Sequence, residues 1–265
     1  MFRGVVIGQY YPIDSPIHGL DPRTKVALMV AFVVLLFLAT NAASMAAVGA
    51  FSLLVIWLSK VPLRLMARTL RAVTYILAIT MALHLFTTPG TVAFRVGPLT
   101  ATVEGVREGV FLSARLIILI VTTSLLTLTT SPISLTDGLE HLLSPFQRLG
   151  VPAHELAMMM TIALRFIPTL MEEADKIMKA QMARGADFES GNVFQRAKGL
   201  VPLLVPLFVS AFRRADDLAM AMEARCYRGS ENRTRLVELR LAMGDYIAVV
   251  LMCALGAAVI WLRRT

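Results

Sequence analysis

Two arginines, Arg184 and Arg225, lie in matching contexts, and each could bind a carboxylate. The first lies in the tripeptide Ala183-Arg184-Gly185 and the second in Ala224-Arg225-Cys226, each at the end of a helical pattern. An arginine guanidinium is planar and always protonated, and it can donate two parallel hydrogen bonds to one carboxylate. The repeat therefore predicts two equivalent docking points, and hence a partner with two similar subunits.

A reversal of charge precedes the two arginines. Glu172-Glu173 occupies the positions that Arg213-Arg214 occupies in the second copy. If the two helices cross about a pseudo-two-fold axis, equivalent positions meet, and acid then meets base. Our hypothesis is that one or both Glu/Arg pairs hold this crossing. The alternative is that all four side chains are solvated, in which case such charges contribute little.

Long helices must position these residues. The pattern predicts helices over residues 152–184 and 193–227, the first kinked at Pro168 and the second carrying Pro202 and Pro206. Each begins with an apolar half of about 13 residues, which is too short to cross a bilayer alone. We interpret both as helices that lie at the membrane face with polar ends in the cytoplasm. A re-entrant pair of spans is the alternative.

The rest of the chain is typical of an integral membrane protein. Its 265 residues are 57% hydrophobic, with a mean hydropathy of +0.69. Five apolar runs are candidates for membrane-spanning helices: residues 26–39, 42–58, 72–86, 110–130 and 241–262. We therefore predict an all-α integral membrane protein with about five transmembrane helices and long coupling helices that cross in an X. The predicted segments are a four-span domain (residues 1–131), a three-helix coupling domain (132–240) and a final span (241–265).

The net charge of +8 follows membrane topology and does not indicate a nucleic-acid partner. The turn after the first apolar run is uncharged, whereas the next loop carries Lys60, Arg64, Arg68 and Arg71 without an acid. Cytoplasmic loops are rich in lysine and arginine. This pattern predicts a plasma-membrane protein with its N-terminus and residues 131–240 in the cytoplasm, and with residues 89–107 as an external loop. The basic C-terminal tail departs from the rule.

Two features of the fourth apolar run indicate contacts inside the membrane domain. Arg115 lies within the run, and Glu108 lies seven residues earlier on a similar helix face, which favours pairing or snorkelling. Gly105 and Gly109 form a Gly-x3-Gly pair, a spacing that allows helices to pack closely. Both features indicate structural roles.

Several short strings, in order along the chain, carry a resemblance to a known family. They are Gly8-Gln9-Tyr10-Tyr11-Pro12, Asp14-Ser15-Pro16-Ile17-His18, Leu20-Asp21-Pro22-Arg23-Thr24-Lys25, Leu164-Arg165-Phe166-Ile167-Pro168, Glu172-Glu173-Ala174-Asp175, Ala183-Arg184-Gly185 and Ala224-Arg225-Cys226. The chain resembles, almost end to end, the T component of energy-coupling factor (ECF) transporters, which are ATP-driven importers of vitamins and metal ions in prokaryotes. Cys226 departs from the Gly or Ser that is more common in the family. The N-terminal strings are more similar to T proteins shared among several substrate-binding subunits (group II) than to the dedicated cobalt, nickel or biotin type.

The resemblance implies partners and a role. A T component links a substrate-binding membrane subunit, the S component, to two ABC ATPases of the EcfA and EcfA′ type. Its two arginine-tipped helices each lie in a groove of one ATPase, a role that Arg184 and Arg225 would take here. The chain would then be a non-catalytic subunit for uptake of a vitamin or other micronutrient, binding no cofactor itself, with ATP and Mg²⁺ on the partner ATPases. The alternative is that both arginines only complement helix C-terminal dipoles.

Methionines crowd the helix that ends at Arg184. A flexible, polarizable side chain suits a surface that accepts several partners. The predicted S-component surface comprises Met158, Met159, Met160 and Met171. Filling of the core between crossed helices is the alternative for each of them.

Two other functions fit part of the pattern. Glu223-Ala224 with Gly229 loosely resembles the coupling loop of an ABC-importer permease that binds substrate itself, although such a permease has only one coupling element. Glu172-Glu173 resembles part of a membrane-protease pattern that also needs partner histidines. No two of the four histidines lie three or four residues apart, and no Gly-x4-Gly-Lys-Ser/Thr string is present. The sequence therefore predicts no catalytic, cofactor or metal site.

Overall fold

The computed structural model describes residues 10–96, 99–186, 199–229 and 239–264. The helices are α1 (Pro22–Leu38), α2 (Ala42–Ser59), α3 (Leu63–Thr87), α4 (Val103–Thr129), α5 (Pro132–Leu143), α6 (Ala153–Ala183), α7 (Val201–Ala224) and α8 (Met243–Arg264). A 3-10 helix over Ser144–Leu149 follows α5, and two strands, β1 (Val92–Val96) and β2 (Leu99–Thr102), separate α3 from α4. Gly8-Gln9 and the predicted start of a helix near Val193 lie outside the described residues.

The chain divides into two compact units. Gly8–Leu139 and Val237–Thr265 belong to one, which we call the membrane unit, and Glu140–Leu236 belongs to the other, which we call the α6–α7 unit. The membrane unit contains α1 to α4, α8 and most of α5. The sequence predicts divisions after residues 131 and 240, whereas the structure divides the chain after residues 139 and 236.

Four helices of the membrane unit are long and apolar enough to cross a bilayer. They are α2, α3, α4 and α8, with mean hydropathies between 1.5 and 2.1 over their most apolar stretch. With 17 residues, α1 lies at the short end of the range of about 17–25 residues that spans a bilayer. Among the described helices, α6 and α7 do not meet these criteria. The prediction of an all-α membrane protein is confirmed, with four of about five predicted spans meeting both criteria.

One core cluster of the membrane unit lies where α1, α2 and α8 meet, and a second one lies between α3 and α4. Phe32 and Leu36 of α1 pack with Val48 of α2 and Val259 of α8, and all four side chains are at most 2% exposed. Each of these helices buries only one of its apolar faces. Large apolar side chains such as Trp57 remain exposed on the outer face. In a membrane the outer face of a helix can contact lipid. Which face turns inward therefore depends on how well its side chains pack, and not on their removal from water.

The Gly-x3-Gly pair of α4 lies against α3. A Cβ atom on Gly105 would lie 2.5 Å from the carbonyl oxygen of His84, and one on Gly109 would lie 2.8 Å from the sulfur of Met81. Both distances are below any normal contact, so α4 approaches α3 closely because these two residues have no side chain.

The connection from α3 to α4 differs from the sequence expectation. Residues 89–107 were expected to form a loop, but β1 and β2 pair as an antiparallel hairpin with an irregular register near Val92. The hairpin is short and continues directly into α4, whose first turn is capped by the Thr102 hydroxyl. Five-residue and four-residue strands carry too little periodicity to stand out next to strongly apolar helices.

Of the two contacts expected for Arg115, pairing with Glu108 is not formed among the described residues. Nη2 of Arg115 instead donates a hydrogen bond to the carbonyl oxygen of Ala39 at 2.8 Å. Its guanidinium also lies 5.6 Å from the ring centre of Phe37 and 5.1 Å from that of Phe111. Ala39 follows the last turn of α1, where carbonyl groups lack helical partners. Arg115 therefore satisfies the end of α1 and is itself stabilised by two aromatic rings.

Asp21 and Asp245 join the starts of α1 and α8. Asp21 caps α1 by accepting a hydrogen bond from the backbone N–H of Arg23 at 2.9 Å. The buried carboxylate of Asp245 accepts from the N–H of Asp21 at 2.9 Å and from the N–H of Ala242 at 2.8 Å. One side chain thus satisfies backbone donors from two segments that lie far apart in the sequence.

His18 and Lys25 organise the segment that precedes α1. Nζ of Lys25 donates to the carbonyl oxygens of His18 and Thr129, both at 3.0 Å. Nε2 of His18 lies 3.0 Å from the carbonyl oxygen of Tyr11, and Nδ1 lies 2.6 Å from the hydroxyl of Ser15. Burial lowers the pKa of His18, which favours a neutral ring that donates to Tyr11 and accepts from Ser15. The N-terminal strings are therefore folding determinants of the membrane unit.

We expect Asp245→Ala to lower the free energy of unfolding by about 2 kcal/mol, because the two backbone N–H groups lose their acceptor. Asp245→Asn retains one carbonyl oxygen and should lose less. Unfolding in mixed micelles titrated with SDS measures both. An Asp245→Ala protein as stable as the unchanged chain would contradict the role assigned to this carboxylate.

Candidate functional site

The helix α6 ends in a turn that presents Arg184. The backbone N–H of Gly185 donates to the carbonyl of Met182 at 3.0 Å, and the N–H of Ala186 donates to that of Gln181 at 3.0 Å. This pair of bonds is a Schellman motif, which requires a left-handed residue directly after the cap. Gly185 is that residue, with φ of +87°.

The helix α7 ends in the same turn, at the equivalent positions of the repeat. The N–H of Cys226 donates to the carbonyl of Glu223 at 2.9 Å, and the N–H of Tyr227 donates to that of Met222 at 3.0 Å. Arg225 is the cap, with φ and ψ of −90° and 9°, against −89° and 7° for Arg184. The repeated tripeptide therefore encodes a repeated local structure. Cys226 adopts the left-handed conformation at φ of 55°, which costs a residue with a side chain about 1–2 kcal/mol.

Both arginine side chains are free to meet a partner. Arg184 and Arg225 are exposed, and within the described parts of the chain neither makes an ion pair or a side-chain hydrogen bond. A cation at a helix C-terminus is favourable by itself. The helix-dipole alternative therefore explains why each helix ends with a basic residue. It does not explain why both helices end in the same exposed turn.

The helices α6 and α7 pack antiparallel, and an ion pair joins their centres. Nη2 of Arg214 lies 2.7 Å from Oε2 of Glu173, and the hydroxyl of Ser210 donates to Oε1 of Glu173 at 2.7 Å. Nε2 of Gln181 donates to the carbonyl of Pro202 at 3.4 Å. Residues nearer the C-terminus of α6 thus contact residues nearer the N-terminus of α7, as in an antiparallel pair. Glu173 and Arg214 are themselves equivalent positions of the repeat, with the same separation in sequence as Arg184 and Arg225.

Only one of the two proposed Glu/Arg pairs is formed in the described residues. Glu172 and Arg213 are exposed, and no hydrogen bond or ion pair joins them there. Adjacent residues on a helix point about 100° apart, so α6 and α7 can bring together only one residue of each dipeptide.

The hydrogen bond from Ser210, followed by that from Arg214, lowers the pKa of Glu173 below its ordinary value of 4.5. A carboxyl group whose pKa is lower in the folded state stabilises that state when it is ionised. Its contribution is therefore fully present above pH 4.5 and is lost as the pH falls through the lowered pKa. The pair is formed throughout the neutral range.

A buried histidine anchors the turn that carries Arg225. Nδ1 of His154 lies 2.9 Å from Oε1 of Glu140, and Nε2 lies 3.2 Å from the hydroxyl of Tyr227. Since a carboxylate only accepts hydrogen bonds, Nδ1 of His154 donates to Glu140, and the Tyr227 hydroxyl lies within hydrogen-bond distance of Nε2. The spacing of the four histidines gives no sign of this role, since it argues only against a metal site. The three residues have no recognisable spacing, so no sequence signal could have joined them.

The methionines of the predicted S-component surface differ in exposure. Met159 and Met160 are 54% and 55% exposed, whereas Met158 and Met171 are half-buried. The helix α7 also carries exposed apolar side chains, with Phe208 60% exposed. Among the described residues, no cluster of His, Cys, Asp and Glu could hold a metal ion.

The two turns should respond oppositely to exchange of the residue after the arginine. Gly185→Ala places a side chain at positive φ and should destabilise its turn by about 1 kcal/mol; a new Cβ there meets no atom within 4 Å, so the cost is conformational. Cys226→Gly should stabilise the second turn by roughly 0.5 kcal/mol. Amide exchange at Ala186 and Tyr227 reports each turn, with the unchanged turn as an internal control. Shifts in the same direction in both variants would contradict the assignment.

Charge reversal tests the ion pair. Glu173→Arg places a second cation beside Arg214, so it should lower the thermal stability of the α6–α7 unit in detergent, and Arg214→Glu in the same chain should recover most of the loss. Glu172→Arg is the matched control and should have little effect. If the double variant is no more stable than Glu173→Arg alone, the pair does not hold the helices together.

Comparison with known proteins identifies the family. Residues 14–236 match the family model of CbiQ, described as a cobalt transport protein. The chain is 62% identical over 248 residues to a protein of Thermosediminibacter oceani, 52% over 263 residues to one of Acidaminococcus fermentans, and 49% over 264 residues to one of Bacillus subtilis. These alignments cover 94%, 99% and 99% of this chain and 94%, 98% and 100% of the relatives, each of which is named energy-coupling factor transporter transmembrane protein EcfT. The chain therefore belongs to the CbiQ family, as a transmembrane component of an energy-coupling factor transporter.

Proposed function

We propose that α6 and α7 are the coupling helices of this transporter component and that Arg184 and Arg225 dock on two ABC ATPase subunits. The observation that carries the proposal is the repeated Schellman turn, which presents an exposed arginine at the end of each helix. A guanidinium in this position can hold a carboxylate in a groove of an ATPase by two parallel hydrogen bonds.

The antiparallel arrangement suits a partner with two subunits. Because α6 and α7 run in opposite directions, their C-terminal turns lie at opposite ends of the pair. With 31 residues in α6 and 24 in α7, the helices are about 46 and 36 Å long. This separation supports docking of each arginine on a different ATPase.

The same pair can transmit motion. ATP binding changes the distance between the two ATPase grooves, and helices held at their far ends must then tilt or slide together. The Glu173–Arg214 contact keeps the two helices moving as one body. Met158, Met159, Met160 and Met171 would pass the movement to an S component, which exposes its vitamin or other micronutrient to the cytoplasm. ATP and Mg²⁺ are bound by the ATPases, and this chain takes no catalytic part.

The charge distribution supports an orientation with the N-terminus and the α6–α7 unit in the cytoplasm. Lys60 lies in the turn from α2 to α3, Arg64, Arg68 and Arg71 lie in the first part of α3, and all four are exposed. By the positive-inside rule, the end of α3 that carries these residues is cytoplasmic. The N-terminal strings support a T component of the shared type, in which exchangeable S components determine the substrate.

Charge reversal of the two turns tests the proposal. Arg184→Glu and Arg225→Glu should each lower the amount of ATPase that co-purifies with the tagged chain, and the double variant should lose nearly all of it, because a carboxylate would then face a carboxylate. Arg148→Glu changes an exposed arginine of the same unit, outside both turns, and should retain the ATPases.

Full ATPase recovery with the double variant would refute the docking role. The alternative function, a permease that binds substrate itself, predicts that the purified chain binds a vitamin tightly without an S component. The proposal predicts no such binding.

A further inference from the structure

A groove lies between α6 and α7 beside the second arginine turn. Its volume is about 400 Å³, and Arg225 and Tyr227 are among the residues that line it. The remaining wall includes Arg165, Phe166 and Met222. All of these residues belong to the α6–α7 unit, so the groove is formed within one compact body.

The groove combines two cations with an apolar wall. Arg165 is exposed, has no ion pair or hydrogen bond among the described residues, and lies on the opposite helix from Arg225. None of the nine lining residues is acidic. Two arginines without an internal counter-ion favour an anionic occupant, and the flexible side chain of Met222 can adapt to an apolar group next to it. The matching chemistry is a carboxylate beside an apolar side chain, as presented by a protein segment.

Within the described parts of the chain, the other arginine turn lacks this arrangement. When the two copies of the repeat are aligned so that Arg184 matches Arg225, Arg165 matches Pro206, which has no charge. In the same alignment Met222 matches Gln181. The amide of Gln181 is already engaged with the carbonyl of Pro202. The two turns therefore have the same backbone, and among the described residues the repeat supplies a second arginine beside the turn of Arg225 but not beside that of Arg184.

We propose that Arg165 is a second docking residue, which together with Arg225 holds an acidic side chain of one ATPase subunit in this groove. The inference rests on the proposed function and adds to it, because it makes the two docking points chemically different. The subunit docked at Arg225 contributes a carboxylate with an apolar neighbour, whereas the subunit docked at Arg184 meets a single arginine. The T component thereby distinguishes two similar but non-identical ATPases.

Binding of the ATPases to the tagged chain, measured by titration in lipid nanodiscs, tests the proposal in two backgrounds. In Arg184→Gln, where binding depends on the second turn, Arg165→Gln should weaken binding roughly tenfold, the low end for a charge-assisted hydrogen bond. In the Arg225→Gln background, Arg165→Gln should cause no further loss of affinity, because the docking point that the two arginines share is already lost. Arg165→Lys keeps the charge without the fork and should recover part of the affinity. Arg148→Gln is the matched control.

The possible failures can be told apart. If Arg184→Gln and Arg225→Gln leave ATPase binding unchanged, the proposed function fails. If they weaken binding while Arg165→Gln has no effect, or has the same effect in both backgrounds, only the present inference fails. Retention of anionic phospholipid that depends on Arg165, with unchanged ATPase affinity, would assign the groove to lipid and also overturn it. Unaltered thermal unfolding of each variant in detergent confirms that these differences come from binding.

Discussion

The antiparallel contact between α6 and α7 is the constraint on which the arrangement of the site depends. It brings Glu173 to Arg214 at equivalent positions of a repeat, and it carries the two arginine turns to opposite ends of one helical pair. Proline inside each helix removes backbone hydrogen bonds, so side-chain contacts between the helices gain importance. Without this packing, the two arginine turns would have no defined separation.

The membrane unit meets a different constraint, since polar backbone groups at helix ends need partners where water is scarce. Asp245 serves the starts of two helices, and Arg115 serves the end of a third. These contacts explain why charged residues persist in a unit that is otherwise apolar. They also give the N-terminal strings a structural meaning, because Asp21, His18 and Lys25 act within one network around the start of α1.

Much of the fold could be read from hydrophobic runs and helix-ending residues. The end of α6 and the end of α7 were predicted to within a few residues, because glycine and arginine-containing turns stop a helix by local chemistry. The hairpin between α3 and α4 was missed, since its strands are too short to show a period. The partner of Arg115 was also missed, because the nearest acid in sequence is not the nearest acceptor in space.

The amino-acid order alone settles the presence of two matching arginine turns, the helical class and the membrane character, because each depends on local spacing and composition. Only the packing of α6 on α7 decides that Glu173 pairs while Glu172 does not, and that Arg165 joins Arg225 in one groove. His154 and Tyr227 meet for the same reason, although they are far apart along the chain. Which face of a helix meets its neighbour depends on the rotation of both helices about their axes, and no short stretch of sequence contains that information.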